Sequence, residues 1–402
     1  MYKVSIKNDG TETVIHNPNV NNLKLASGSI RTEINKVDSF NFSFYMNNPG
    51  YGKIKPLKTL INVLNMKTGK YEFEGRVLGP SDNMDSSGLI NSYFECEGEL
   101  GYLHDSQQRH LEFRGTPKEL LQTVLEYHNS QVEDYKHFHL GEMNVTNSTN
   151  YIYLYLSAEQ GTLDIIEEKL LDKLGGELQI RKVNGVRFLD YLISIGEDKN
   201  TEIRMEKNLV SMSKDVDTTE IVTRLTPLGA RIKSENENST DASQARVTIE
   251  EVNNGLPYLD DEALIKEFGI QGGSVIWDDV TISENLKTKG LEWINKQKTA
   301  HVQYQINAID LSLIGLAFES FERGDTFPLI NPVMCINERL RVIGKTLEIN
   351  SPQDTNLTIG DKFKTLNEYQ SDVNKSTKKV LDLENTVGVL TERINSWKFE
   401  LL

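Results

Sequence analysis

The stretch Ser92-Tyr93-Phe94-Glu95-Cys96-Glu97-Gly98-Glu99-Leu100 decides how the first hundred residues of this sequence fold. From Phe94 to Leu100, apolar or small residues alternate strictly with acidic ones, which is the period of a β-strand with one face buried and the other in water. Cys96 lies on the apolar face with Phe94 and Leu100, so the pattern predicts a small core residue at this position.

Strand signals of the same kind recur through the first hundred residues. Gly, Asn, Asp and Pro mark turns at Asn47-Asn48-Pro49-Gly50, Lys67-Thr68-Gly69-Lys70 and Gly79-Pro80-Ser81-Asp82. The predicted strands are Lys3–Ile6, Ser39–Met46, Thr59–Met66, Tyr71–Leu78 and Ser92–Leu100. Short strands at this spacing predict a barrel or a sandwich.

Helix signals begin after residue 109. Thr116-Pro117-Lys118-Glu119 has the N-cap threonine, the proline at the first helical position and the returning glutamate of a capping box, and it predicts a helix over Glu119–His128. A second helix is predicted over Thr162–Leu174, because Gly175-Gly176 ends it and an apolar stripe follows one of its faces. Two strands come next, Glu177–Val183 and Val186–Ile195. This segment is therefore predicted to be α+β.

A second β-rich region follows Met205 and is interrupted by a helical insert. The polar stretch Lys233–Gln244 is rich in Ser, Asn and Glu and predicts an exposed loop. Helices are predicted over Asp260–Phe268 and Ser283–Lys298. The predicted strands are Ser211–Lys214, Glu220–Pro227, His301–Leu313, Thr326–Ile330 and Arg339–Ile349.

The last forty residues carry a heptad pattern. Steps of three and four residues alternate without a break from Leu366 to Leu401, which indicates a coiled coil. The predicted oligomer seam consists of Val373, Val380, Leu383, Val387, Leu390 and Ile394. Val in one seam class with Leu in the other favours a parallel two-stranded coil. A single amphipathic helix docked on its own protein is the alternative.

Bulk properties exclude several classes of protein. The chain has 402 residues, 38% hydrophobic residues and a net charge of -15, with a mean hydropathy of -0.45 and a pI of about 5.1. An acidic chain is not expected to bind nucleic acid, because such binding needs clustered Lys and Arg side chains. Two cysteines exclude a disulfide framework and a four-cysteine zinc site. The sequence shows neither a secretory signal nor an apolar run of about 18 residues, which predicts synthesis in a cytoplasm.

The sequence predicts no catalytic motif. His137-Phe138-His139 is the one paired-histidine motif, but no other histidine has an aspartate four residues later to complete a zinc endopeptidase site, and an exposed polar edge is the simpler interpretation. A zinc-protease helix motif and a phosphate-binding loop are both missing. Cys335 follows Asn331-Pro332 within the apolar stretch Val333–Ile336, so it is predicted to be a core residue. We therefore expect no catalytic residues, no metal and no cofactor.

Several segments resemble the phage tail hub family, also called tail-associated lysin or prophage endopeptidase tail protein. That family's fold is similar to the hub of contractile-tail baseplates and of type VI secretion spikes. The segments that carry the resemblance are Tyr71–Val77, Glu95–Ser106, Asn208–Asp215, Thr223–Gly229, Phe321–Thr326, Arg341–Gly344 and Leu357–Gly360. Their order and spacing, over about residues 1–365, carry more weight than any single one of them.

The resemblance implies an α+β, predominantly β fold. Two tube-like β-barrel domains would be formed by residues 1–101 and by 205–235 plus 300–364. Residues 102–204 would form an α+β domain and 236–299 a helical or mixed insert. Residues 365–402 would form a coiled-coil helix. Hubs of this family are trimers in which two such barrels per chain build a pseudo-sixfold ring.

The function implied is that of a structural hub at the tip of a phage or prophage tail, within the virion and assembled in the host bacterial cytoplasm. A homotrimer would close the tail tube and give DNA a channel without binding it specifically. The implied partners are the distal tail protein, tail tube or tape-measure proteins, receptor-binding proteins and the host cell wall. The alternatives are a tail-associated peptidoglycan hydrolase (endopeptidase) that acts on the host cell wall and a host-surface binding module. The expectation for this segment is that it is not an enzyme, with any lysin activity in a further C-terminal domain.

Overall fold

A computed structural model describes residues 1–360 except 85, 148, 218–220, 233–244, 279, 296–300, 317–318 and 354. The chain divides into two compact units. Unit 1 comprises Met1–Asp215 and Gln303–Gly360, and the described part of unit 2 lies within Val216–Val302. The predicted coiled coil, 365–402, and all its seam residues lie outside the described residues. Within the described part of the chain, every helix is too short or too polar to cross a membrane.

The described elements are mostly strands, with few helices, which confirms the predicted α+β, predominantly β class. The strands are β1 (Tyr2–Asn8), β2 (Thr11–His16), β3 (Ser27–Glu33), β4 (Ser39–Tyr45), β5 (Leu60–Asn65), β6 (Tyr71–Met84), β7 (Ile90–Gly98), β8 (Leu111–Gly115), β9 (His139–Met143), β10 (Ile152–Leu156), β11 (Glu177–Val183), β12 (Val186–Leu192), β13 (Ile203–Arg204), β14 (Leu209–Asp217), β15 (Arg224–Leu228), β16 (Leu259–Asp260), β17 (Gly272–Ile276), β18 (His301–Ala308), β19 (Thr326–Asn331), β20 (Ile336–Glu348) and β21 (Asn356–Gly360). The α-helices are α1 (Pro117–Asn129), α2 (Thr162–Ile165), α3 (Asp172–Leu174), α4 (Glu262–Phe268) and α5 (Ser283–Asn295).

Unit 1 is built on one sheet of 13 strands. Eleven strands follow the order β14-β18-β21-β20-β3-β4-β7-β6-β5-β1-β2, and β19 joins β13 to β20. The two β-rich regions of the sequence meet where β3 pairs antiparallel with β20, with Ile30 opposite Leu347. The sheet path ends at β14 and β2.

The spacing of the first strands predicted a barrel or a sandwich, and the resemblance implied two tube-like β-barrels; the described residues form no closed barrel. Strand spacing predicts short antiparallel strands but does not specify which strands pair, so a barrel and an open sheet give the same pattern. The pairing of β3 with β20 merges the two expected barrels into one open sheet.

The core of the main sheet is aromatic and also spans both sequence regions. Phe42 stacks on Phe94 with ring centroids 4.9 Å apart, and Phe44 lies 5.0 Å from Phe94. Leu347 and Ile349, from the second β region, pack into the same core. Burial of each such side chain contributes on the order of 2 kcal/mol, so this core holds the two regions together.

Residues 99–195 form a body with its own core, which we call the α+β module. It contains the three-stranded sheet β11-β12-β9 and the two-stranded sheet β8-β10. The predicted capping box is present, because the Thr116 hydroxyl accepts from the Glu119 N–H and the Glu119 carboxylate accepts from the Thr116 N–H. The second predicted helix is found over 162–174, but its middle, Ile166–Leu171, is a π-helix.

Unit 2 holds a small sheet in the order β16-β15-β17 and the two helices α4 and α5. Its core is formed by Ile249, Leu259, Val280 and Leu286. The two helices predicted in the insert are therefore confirmed in position, since α4 ends at Phe268 and α5 begins at Ser283.

Candidate assembly surface

The two ends of the main sheet are the first candidate surfaces. In the described part of the chain, β2 pairs only with β1 and β14 only with β18, so each carries one row of unpaired backbone N–H and C=O groups. On β14 the side chain of Val210 is 60% exposed, and Ser211, Ser213 and Lys214 are exposed as well. Edges of this kind are templates for pairing with another chain.

A second candidate surface lies on the α+β module. Tyr151, directly before β10, and Tyr153 and Tyr155 on this strand are about half exposed, while Ile152 and Leu154 turn into the core. The Arg114 guanidinium, on the neighbouring strand β8, lies 4.9 Å from the ring centroid of Tyr153. Exposed tyrosine and arginine are enriched where proteins bind partners.

A buried ionic cluster lies under the junction between the main sheet and the module. Arg76 on β6 faces Glu97 on β7 across the strands, and its Nη1 and Nη2 donate to Asp105 at 2.5 and 2.7 Å. Lys136 donates to the same carboxylate at 2.9 Å. Burial opposes ionisation of Asp105, but the hydrogen bonds from Arg76 and Lys136 outweigh it and hold its pKa below the usual value.

Sequence reasoning missed this cluster. Arg76 shares the polar face of β6 with Glu72 and Glu74, and alternation predicts that this face meets water. The module covers that face instead, and the Arg76 side chain is only 6% exposed. A lone arginine opposite the acidic residues of the next strand is the signal that could have revealed it.

The paired histidines occupy a half-open surface. The side chain of His137 is half-buried, and its Nε2 lies 3.1 Å from the carbonyl oxygen of Val132. His139 is exposed on β9, with its ring 5.8 Å from that of Phe188. Both line one cleft of about 400 Å³. Among the described residues, His, Cys, Asp and Glu side chains form no group of three or more suited to a metal ion.

A serine–histidine contact that the sequence did not predict lies inside the module. Ser106 Oγ is 2.7 Å from His128 Nδ1 and 2.6 Å from Thr162 Oγ1. His128 Nε2 lies 3.3 Å from the Lys136 carbonyl oxygen, and burial lowers the pKa of the imidazole. Ser106 and His128 are 3% and 0% exposed. A nucleophile must reach its substrate, so this contact is a structural hydrogen-bond network.

The two cysteines have different environments. Cys96 is buried as predicted, and burial raises the pKa of its thiol. Cys335 was predicted to be a core residue, and this was wrong, because it is exposed. Pro332–Met334 form a single 3-10 turn between β19 and β20, and Cys335 ends that turn in the left-handed region at φ 55°. The apolar stretch is therefore a hairpin tip, where Val333 is 77% exposed.

The described fold is similar to the folds of three solved tail proteins. The 43 kDa tail protein of prophage MuSo2 from Shewanella oneidensis has a TM-score of 0.60 at 10% identity, over 90% of this chain and 97% of that one. Prophage tail protein gp18 from Listeria monocytogenes EGD-e has a TM-score of 0.53 at 14% identity, over 94% and 99%. The tail protein from Neisseria meningitidis MC58 has a TM-score of 0.55 at 12% identity, over 90% and 97%.

One segment of the sequence is similar to a known family. Residues 197–370 match the family described as prophage endopeptidase tail. A comparison with curated proteins finds no match. This segment, which is less than half of the chain, is therefore similar to the prophage endopeptidase tail family.

Proposed function

We propose that the chain is a structural hub at the tip of a phage or prophage tail, where three copies form a ring that closes the tail tube and later lets DNA pass. The observation that carries the proposal is the single sheet of unit 1, which spans both β regions and, among the described residues, ends in unpaired edges at β2 and β14. It occurs in a chain with the fold of prophage tail proteins.

The two edges support a ring because they are different surfaces. A contact between β2 of one copy and β14 of the next is heterologous, and heterologous contacts close into rings when the rotation between copies allows it. Val210 gives the β14 edge an exposed apolar side chain that such a contact would bury. A ring of this kind would join the sheets of three copies through backbone hydrogen bonds.

Charge supports passage of DNA without binding. The net charge of the chain is -15. A channel bordered by acidic or neutral groups repels phosphates and lets the duplex slide. The partners in this proposal are further copies of the chain, the distal tail protein, tail tube or tape-measure proteins, and receptor-binding proteins. Residues 365–402 would form the coiled-coil stalk that joins the copies.

The molar mass of the purified chain tests the proposal. One chain has a mass of 45.6 kDa, so light scattering should give three times this value, and electron micrographs should show threefold particles with an axial hole. Val210→Glu should weaken assembly, because it places a charge at the β14 edge. Ile193→Glu is the matched control, since Ile193 is 67% exposed and lies in the module. A monomeric full-length chain would contradict the proposal.

The tyrosine face of β10 favours a second candidate function, host-surface binding by the module. Its exposed rings and Arg114 suit contact with a partner molecule. Sedimentation of the chain with purified cell-wall fragments tests this function. Binding that is lost in Tyr153→Ala but kept in Tyr45→Ala, a 41% exposed tyrosine of the main sheet, would support it. Equal binding by both variants would count against it.

A further inference from the structure

The small sheet of β8 and β10 has an outer face that is formed by two cross-strand pairs. Tyr153 lies opposite Arg114, and Tyr155 lies opposite Glu112, in the antiparallel register. Opposite residues share one face of a sheet, and the residues between them pack into the core of the module. The outer face therefore combines two phenol rings with one cation and one carboxylate. We call these four residues the tyrosine platform.

The side chains of the tyrosine platform hold one another in place. Arg114 Nε donates to Glu112 Oε1 at 3.0 Å, and the guanidinium carbon lies 4.9 Å from the ring centroid of Tyr153. The hydroxyl oxygens of Tyr153 and Tyr155 lie 2.8 Å apart, and the two rings meet at 65° with centroids 5.7 Å apart. Because these contacts already restrict the side chains, a ligand would lose little further conformational freedom on binding.

Tyr155 is the open ring of the platform. It is 62% exposed, whereas Tyr153 carries the Arg114 guanidinium. The side chains of Glu112 and Arg114 are 43% and 64% exposed, so both can form further hydrogen bonds beside the open ring. An open ring with hydrogen-bonding groups next to it suits a ligand that has an apolar face and polar edges.

The composition of the platform argues against several classes of ligand. Among the described residues of β8 and β10, the outer face carries no aliphatic side chain on which a lipid chain or an apolar protein surface could pack. Its one cation is paired with Glu112, and the chain has a net charge of -15, so a polyanion would gain little attraction. A sugar ring fits better, because one side of it exposes C–H groups while its edge carries hydroxyls.

We propose that the tyrosine platform binds a neutral glycan of the host surface, with one sugar ring stacked on Tyr155. Hydroxyls of the sugar would donate to the Glu112 carboxylate and accept from the Arg114 guanidinium. Tyr153 contacts both Tyr155 and Arg114, so its loss would disturb the platform as well. The proposal rests on the second candidate function, host-surface binding by the module, and names the ligand of that surface.

Saturation-transfer NMR of the full chain tests the proposal, with the hexamer of N-acetylglucosamine and maltohexaose as probes. Saturation of the protein should reach the ring C–H protons of at least one probe. Tyr155→Ala should weaken this binding about tenfold, as the loss of one stacked ring does at other stacking sites. Tyr155→Phe keeps the ring and should bind within about threefold of the wild type. Tyr45→Ala, which alters an exposed tyrosine of the main sheet, is the matched control and should bind like the wild type.

A second variant keeps the test decisive if Tyr155→Ala does not fold. Glu112→Ala leaves both rings in place but removes the carboxylate, and it should weaken binding several-fold. Saturation transfer to neither probe would overturn the proposal. Binding that both Tyr155→Ala and Glu112→Ala leave unchanged would overturn it too, because the sugar would then lie elsewhere.

Sedimentation with cell-wall fragments separates this proposal from the function on which it rests. Wall binding that depends on Tyr153 and survives protease treatment of the fragments would support a glycan ligand. Loss of that binding after protease treatment would show that the module binds a host protein, so the glycan proposal alone would fail. Probe binding without any wall binding would keep the glycan site and remove the host-surface function.

Discussion

Replacement of Arg76 by methionine tests the buried ionic cluster, and its effect can be worked out from the contacts. The substitution keeps the length of the side chain but removes the charge, which leaves Glu97 and Asp105 without their guanidinium partner. Breaking a buried ion pair costs about 3–5 kcal/mol, because one charge stays buried and uncompensated. Lys136 still lies 2.9 Å from Asp105 in the variant's unchanged part of the cluster. We therefore expect the free energy of unfolding to fall by about 3 kcal/mol, the lower end of this range.

The assay must follow unit 1 itself. Trp277, Trp293 and Trp397 all lie outside unit 1, so tryptophan fluorescence does not report on this cluster. Hydrogen exchange of peptides from β6 and β7 reports on this cluster directly. If the free energy of unfolding falls by about 3 kcal/mol, amide hydrogens that exchange only after the structure opens should exchange roughly 10²-fold faster.

Two further variants complete the experiment. Arg76→Lys keeps the charge but loses the bidentate contact, and it should fall between the wild type and Arg76→Met. In the double variant Arg76→Met/Asp105→Asn the uncompensated charge at position 105 is gone, so the loss should be smaller than the sum of the two single losses. Exchange in Arg76→Met within about threefold of the wild type would refute the reasoning, since the cluster would then add little to stability.

The remaining predictions concern pH, thiols and catalysis. Burial lowers the pKa of His16 to about 4 and also lowers the pKa of His128. Because a lowered pKa favours the neutral ring in the folded state, both histidines add stability above the unfolded pKa of about 6.5 and lose it as the pH falls through the folded pKa. For His16 this loss occurs as the pH falls towards 4 and amounts to about 3 kcal/mol. A urea midpoint that is constant from pH 7 to 4 would argue against this. Cys335 should react with a thiol reagent in the native protein and Cys96 only after unfolding; equal rates would show that Cys96 is accessible. Zymography of the chain should show no cleared peptidoglycan, and clearing that His137→Ala abolishes would reverse the assignment.

Local patterns predicted most of the elements correctly. The alternation in Phe94–Leu100 predicted the buried face of β7, and the capping box at Thr116 predicted the start of α1. Strand β3 was missed, because Ser27-Gly28-Ser29-Ile30-Arg31-Thr32-Glu33 has a single large apolar residue. It is the strand that joins the two halves of the sheet.

The sequence by itself determined the class of the fold, the order of its elements and the resemblance to tail hubs, since these depend on periodicity and on residues close together in the chain. Only the tertiary structure decided that the two β regions form one open sheet, that Arg76 is buried and that Cys335 is exposed. The first two depend on segments distant in sequence, such as the pairing of Ile30 with Leu347, and the third depends on the pairing of β19 with β20, which makes the apolar stretch a hairpin tip. Local periodicity shows that a strand has a polar face, but what covers that face depends on how the rest of the chain packs.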